Sequence, residues 1–97
     1  LPQWEIGSNS INVRPGETAA KIGADSDGGW ISYRNRDQVY VKSFEYDPTA
    51  EYPDGGCSVE VYTCPHYVEA EVLSALYDLD PGEERVFTEE WTLQKIR

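Results

Sequence analysis

The sequence has 97 residues and a mass of 11.0 kDa, which is enough chain to bury one hydrophobic core. Its 18 acidic and 8 basic residues give a formal net charge of −10, so we expect neither a nucleic-acid partner nor binding to an anionic membrane surface. Three Trp, seven Tyr and two Phe are core-forming residues that disordered chains lack, and no apolar run approaches the roughly 18 residues of a membrane span. Composition therefore predicts a single folded domain over residues 1–97.

Segments rich in β-branched and aromatic residues alternate with turns that contain Pro or Gly. This spacing predicts an all-β fold, an antiparallel β-sandwich. The predicted strands, in chain order, are residues 3–6, 19–24, 29–34, 38–46, 57–63 and 86–93.

Alternation along these strands assigns side chains to faces. Strand 38–46 places Tyr40, Lys42 and Phe44 on one face. Strand 86–93 places Phe87, Glu89, Trp91 and Leu93 on one face.

Residues 68–79 fit two patterns. Apolar residues at positions 68, 72, 75, 76 and 79 have a helical period. As a strand, the same stretch would place Val68, Ala70 and Val72 inward, and the Asp80–Pro81–Gly82 turn would join it to the last strand as a hairpin. The regular spacing of turns favours the strand.

Carboxylates occupy the middle of several predicted strands, where β-propensity disfavours them. Glu60 shares a face with Tyr62, while Glu69 and Glu71 share one with Tyr67. A solvent-facing sheet explains this pattern, and so does a sugar-binding face, because carboxylates accept hydrogen bonds from hydroxyl groups and flat rings stack on pyranoses. Both interpretations stay open at this point.

The two cysteines predict free thiols. If residues 57–64 form one extended strand, Cys57 and Cys64 lie roughly 23 Å apart, too far for a disulfide. Free thiols indicate a reducing compartment, so we expect a cytoplasmic protein. Adding His66 gives a spacing that fits no common zinc site.

We also expect no other metal, no cofactor and no assigned catalytic residue. Asp25 begins a sequence like a calcium loop, but Trp30 and Arg36 stand where that loop needs Gly and Glu. His66 is the single histidine and follows Pro65 at a strand start, where a surface position explains it. The sequence lacks the common nucleophile, phosphate-binding and zinc-protease motifs.

Several stretches in a fixed order carry a family resemblance. They are Lys-Ile-Gly at 21–23, Gly-Gly-Trp-Ile-Ser-Tyr at 28–33, Val-Lys-Ser-Phe-Glu-Tyr at 41–46, Tyr-Pro-Asp-Gly-Gly-Cys-Ser-Val-Glu-Val-Tyr-Thr at 52–63, Glu-Ala-Glu-Val-Leu-Ser at 69–74, Leu-Asp-Pro-Gly-Glu at 79–83 and Thr-Glu-Glu-Trp at 88–91. This order resembles the C-terminal part of an uncharacterised bacterial family of galactose-mutarotase-like, or aldose 1-epimerase-like, proteins.

The resemblance implies half of an antiparallel β-supersandwich, whose relatives bind sugars on a concave sheet face. It implies that Trp30, Lys42, Glu60, Glu69 and Glu71 face the carbohydrate-binding groove. His66 matches no family motif, and Ser74–Ala75 stand where the family has Gly-Pro.

The chain contains no Met and starts at Leu1, so we expect the native start codon to lie outside it.

Half a supersandwich leaves sheet edges and an apolar face uncovered. Pairing of two copies would cover them, so we expect a homodimer.

The sequence supports three alternative hypotheses about function. The first is a non-catalytic carbohydrate-binding module with a saccharide as partner. The second is a protein-interaction or adaptor module whose acidic surface recognises a basic partner. The third is a small sugar-epimerase-like enzyme that uses Glu69 or Glu71 with His66 as acid and base.

Overall fold

The computed structural model describes residues 3–96, and within this range the chain forms eight β-strands and no helix. The strands are β1 (Trp4–Ile6), β2 (Ile11–Val13), β3 (Ala20–Ala24), β4 (Trp30–Asn35), β5 (Gln38–Phe44), β6 (Val59–Thr63), β7 (Val68–Val72) and β8 (Glu89–Lys95). The predicted all-β fold is confirmed, and each predicted strand corresponds to an observed one. None of the described residues forms a helix long and apolar enough to cross a bilayer.

The strands form three antiparallel sheets. They are the hairpin β1–β2, a sheet of order β3–β6–β7 and a sheet of order β4–β5–β8. The strand interpretation of residues 68–72 is therefore right, but the predicted hairpin between β7 and β8 is wrong. The Asp80–Pro81–Gly82 turn forms, with Gly82 at a φ of 87°, yet residues 73–88 carry the chain from one sheet to the other.

Hairpin β4–β5 is the local unit of its sheet. Asn35 pairs with Gln38, so the loop has two residues, and Arg36 takes the positive φ of 58° that such loops require. At the other end, Gly29 is buried with a φ of 73°, and its carbonyl accepts a hydrogen bond of 2.8 Å from the Phe44 amide. The strand β8 then pairs with the free side of β5 along its full length.

Sheet β3–β6–β7 has one apolar and one polar face, as the alternation predicts. Ile22 pairs with Val61, and Val61 pairs with Ala70, so small and branched residues lie together on the inner face. Register Glu60 with Glu71 places carboxylates together on the outer face. The core is small, and its buried apolar residues are Tyr52, Val59, Cys64 and Ala75.

The two three-stranded sheets meet where β7 lies alongside β4. Lys42 of β5 donates a hydrogen bond of 2.9 Å from Nζ to the Ala70 carbonyl, so it occupies an acceptor on the unpaired edge of β7. The β8 side of the second sheet stays uncovered, with Trp91 62% and Leu93 63% exposed.

This open arrangement leaves a large surface. The accessible area is 7440 Å², against roughly 5600 Å² for a compact monomer of the same mass. The radius of gyration is 14.9 Å, against roughly 12.5 Å for a compact chain of this length.

Candidate functional site

A cleft lies between the inner face of strands β4 and β5 and the edge of β7. Its volume is about 520 Å³, within the range of small-molecule sites. The lining residues are Tyr33, Tyr40, Lys42, Val68, Glu69, Ala70 and Glu71. The cleft therefore combines aromatic rings, one cation and two carboxylic acids.

The ammonium group of Lys42 lies among aromatic rings at this cleft. Its Nζ is 5.3 Å from the centre of the Trp91 ring and 5.9 Å from that of Tyr40. These two rings meet edge to face, with centroids 5.7 Å apart. Cation–π attraction and the bond to Ala70 together fix the position of the ammonium group.

Strand register explains how Trp91 reaches Lys42, although the two residues are far apart in the sequence. Lys42 pairs directly with Trp91 across β5 and β8, so both side chains point to the same face. The indole N–H of Trp91 donates to the carboxylate of Glu89, which restricts the rotation of the ring. Burial, followed by the charge of Glu89, raises the pKa of the Tyr40 hydroxyl above its ordinary value.

Three of the five sequence-predicted groove residues, Lys42, Glu69 and Glu71, line the cleft. Glu60 pairs directly with Glu71, but it is only 5% exposed and its carboxylate is 2.9 Å from Lys21 Nζ. Glu60 therefore holds the sheet together on its polar face.

Trp30 lies on the other side of the sheet from Lys42. It pairs with Ser43, whereas Lys42 pairs with Ile31, so the side chains of Trp30 and Lys42 point to opposite faces. The indole is 56% exposed there. The five candidates consequently do not share one face.

The polar face of β3–β6–β7 forms a compact ionic cluster. The hydrogen bond to Glu60 raises the pKa of Lys21, which favours the charged ammonium. Burial, followed by the charge of Glu60, raises the pKa of Cys57, so its thiol is a poor nucleophile at neutral pH. Gly23 makes room for this thiol, because a Cβ there would lie 2.6 Å from Cys57 Sγ.

A second depression, of about 500 Å³, surrounds two stacked tyrosines. The rings of Tyr46 and Tyr52 are 5.2 Å apart and nearly parallel. Tyr46 donates a hydrogen bond of 3.0 Å to Asp25, and this bond is the main cause that raises the pKa of Tyr46 to about 12. Both rings serve as packing elements, because Tyr52 is 6% exposed and its hydroxyl accepts from the Asp47 amide.

The sulfur and imidazole groups lie apart from the cleft lining. Cys57 and Cys64 are both free thiols, as predicted. His66 is exposed in the short connection between β6 and β7. Among residues 3–96, no group of three His, Cys, Asp or Glu side chains is placed to hold a metal ion.

Tyr33, Tyr40 and Trp91 were not selected as site residues from the sequence. A signal existed, because alternation already placed Tyr40 with Lys42, and Trp91 with Glu89. The missing fact was that β5 pairs with β8, which brings these two patterns onto one face.

Comparison of this chain with family models, with curated proteins and with solved structures found no match.

Proposed function

We propose that this chain is a non-catalytic carbohydrate-binding module, with the cleft beside Lys42 as its site. The observation that carries the proposal is the position of the Lys42 ammonium over the adjacent rings of Tyr40 and Trp91.

The chemistry of the cleft suits a pyranose ring. An exposed indole offers a flat apolar surface for the C–H face of the sugar, and Trp91 is 62% exposed. An ammonium has three donors, and Lys42 uses one of them on Ala70, which leaves two for sugar hydroxyls. Glu69 and Glu71 in the lining supply acceptors.

The test is an amide-resolved NMR titration of the full chain with a panel of simple aldoses, up to about 50 mM because one small cleft supports weak affinity. We expect shifts that cluster on Tyr40, Lys42, Trp91 and residues 68–71. No shift with any sugar of the panel at that concentration would refute the proposal.

The two tryptophans of the second sheet provide a matched pair of variants. Trp91→Ala removes the indole that contacts Lys42 beside the cleft, whereas Trp30→Ala removes an indole of similar exposure from the opposite face. We expect at least about fivefold weaker sugar binding for Trp91→Ala and no change for Trp30→Ala. Weaker sugar binding for Trp30→Ala and unchanged binding for Trp91→Ala would place the sugar on the outer face and contradict the cleft as the binding site.

An adaptor module is the second candidate, and the outer face of β3–β6–β7 favours it. Glu69 is exposed there, Glu71 is partly exposed, and the whole chain has a net charge of −10. Binding of a Lys-rich peptide that weakens steeply with salt, without any sugar-induced shift, would support this candidate over the first.

A further inference from the structure

Strand β8 is the longest unpaired edge of the described structure. It forms hydrogen bonds with β5 on one side, and the order β4–β5–β8 leaves its other side without a strand. The other edge of that sheet, β4, lies beside β7. An unpaired row of amides and carbonyls is a template for another strand, and exposed apolar side chains beside it strengthen that tendency.

We propose that two copies of this chain associate through antiparallel pairing of β8 with the partner's β8, which gives one continuous six-stranded sheet. A two-fold axis perpendicular to the sheet keeps each face of the sheet on the same side, so every residue of β8 must pair with a partner residue whose side chain points to the same face. Because side chains alternate between the faces, this is possible only when the axis passes through a residue and not between two residues. An axis at Thr92 pairs all seven residues of Glu89–Lys95.

This central register is self-complementary. Trp91 lies opposite the partner's Leu93, so the two most exposed apolar side chains of β8 cover each other in both halves of the interface. Glu89 lies opposite the partner's Lys95, which makes two pairs of opposite charge. Thr92 meets its own copy on the axis, and a Thr–Thr pair is a favourable cross-strand neighbour.

The outer face of the strand agrees with the same register. Glu90 lies opposite the partner's Gln94, an acceptor against a side chain with two donors. If the axis lay at Trp91 instead of Thr92, Trp91 would pair with its own copy and Lys95 would no longer lie opposite the partner's Glu89. The central register is therefore the one in which every residue of β8 has a compatible partner.

The amount of exposed surface supports the same conclusion. The chain exposes 7440 Å², roughly 1800 Å² more than a compact monomer of its mass. A standard protein interface removes about 800 Å² from each partner, so the excess is large enough to supply one. The interface uses the free edge of β8 and shares Trp91 with the proposed carbohydrate site, so dimerisation is measured by sedimentation without sugar and does not depend on the outcome of the sugar titration.

Sedimentation velocity of the full chain, from about 1 µM to about 1 mM, measures the association. We expect a concentration-dependent monomer–dimer equilibrium. A monomer across the whole range would overturn the proposal.

Two substitutions to lysine test the register. Thr92→Lys places two cations opposite each other on the axis, and we expect about threefold weaker dimerisation. Gln94→Lys, on the same face of the same strand, places lysine opposite the partner's Glu90, and we expect unchanged or tighter dimerisation. Both raise the net charge equally, so a general charge effect would move them together and contradict the register.

A charge exchange provides the rescue. Lys95→Glu places two acids opposite each other in both halves, and Glu89→Lys places two lysines there. We expect each single variant to weaken dimerisation about fivefold and the double variant to restore it. A double variant as weak as the singles would overturn the proposed pairing of Glu89 with Lys95. Circular dichroism of each variant checks that the monomer is folded.

Discussion

Lys42 of β5 donates a hydrogen bond to the Ala70 carbonyl of β7, and this single bond of 2.9 Å joins the two three-stranded sheets at the cleft. The carbonyl belongs to an unpaired sheet edge, so its hydrogen bond replaces one that a neighbouring strand would otherwise make. The same ammonium also contacts two aromatic rings. Lys42 is therefore a structural link and a candidate ligand-binding group at once.

Lys42→Met should lower the free energy of unfolding by about 1 kcal/mol, because it removes a charge-assisted hydrogen bond while keeping an apolar stem. Arg34→Met is the control, since Arg34 is exposed on the opposite face of the neighbouring strand. Urea denaturation of both variants checks the difference. Equal midpoints would show that the bond to Ala70 contributes nothing to stability.

Gly29→Ala should lower stability by about 3 kcal/mol, and Gly55→Ala by about 1 kcal/mol. Both glycines have a positive φ, which strains any residue that carries a Cβ. At Gly29 that Cβ would also lie 2.5 Å from the Phe44 carbonyl oxygen, whereas at Gly55 no described atom lies within 4 Å. Both variants carry the strain of a positive φ, so the difference between their melting temperatures measures the steric conflict at Gly29. Similar melting temperatures for the two variants would contradict that conflict.

Tyr46 should titrate near pH 12, well above its ordinary value of 10. The folded chain holds this proton more tightly than the unfolded chain. The contribution of the Tyr46 hydroxyl to the free energy of unfolding is therefore complete below pH 10 and disappears as the pH rises from 10 to 12. Asp25→Asn should move the pKa back towards 10, because the carboxylate that accepts the hydrogen bond is lost. Absorbance titration of the phenolate in both proteins measures the shift, and identical curves would contradict its assignment to Asp25.

The pair Lys21–Glu60 should contribute more to stability than the pair Lys95–Asp37. The first has a contact of 2.9 Å and a nearly buried carboxylate, whereas the second has a contact of 3.8 Å between two exposed side chains. A buried carboxylate that loses its partner keeps its desolvation cost, while an exposed one returns to water. Double-mutant cycles with Met and Gln substitutions at dilute protein compare the two coupling energies. A larger coupling for Lys95–Asp37 would reverse the expectation.

The strands could be predicted from local patterns because alternation and turn residues act over a few positions. Residues 38–46 were predicted as a strand, and Gln38–Phe44 is one. β2 was missed, because the three residues Ile11–Val13 are too short to show a period. The β7–β8 hairpin was wrong, because a Pro-Gly turn reports a local reversal and not which strands pair afterwards.

The cleft could be predicted in part. Lys42, Glu69 and Glu71 were selected and do line it, whereas Trp91, which contacts Lys42 beside the cleft, was overlooked and Trp30 points to the other face. The difference between the two tryptophans depends on the pairing of β5 with β8, a contact between distant parts of the chain. No local pattern contains that information.

The position of β8 in its sheet also sets an order of events during folding. The β4–β5 hairpin closes over two residues, so it can form early, whereas β8 must return across residues 45–88 before it reaches β5. During that interval the side of β5 that β8 will occupy is unprotected. A β8 strand from another molecule can fill the same place with the same hydrogen bonds, so exchange of this strand between chains becomes more frequent when folding takes place at high protein concentration.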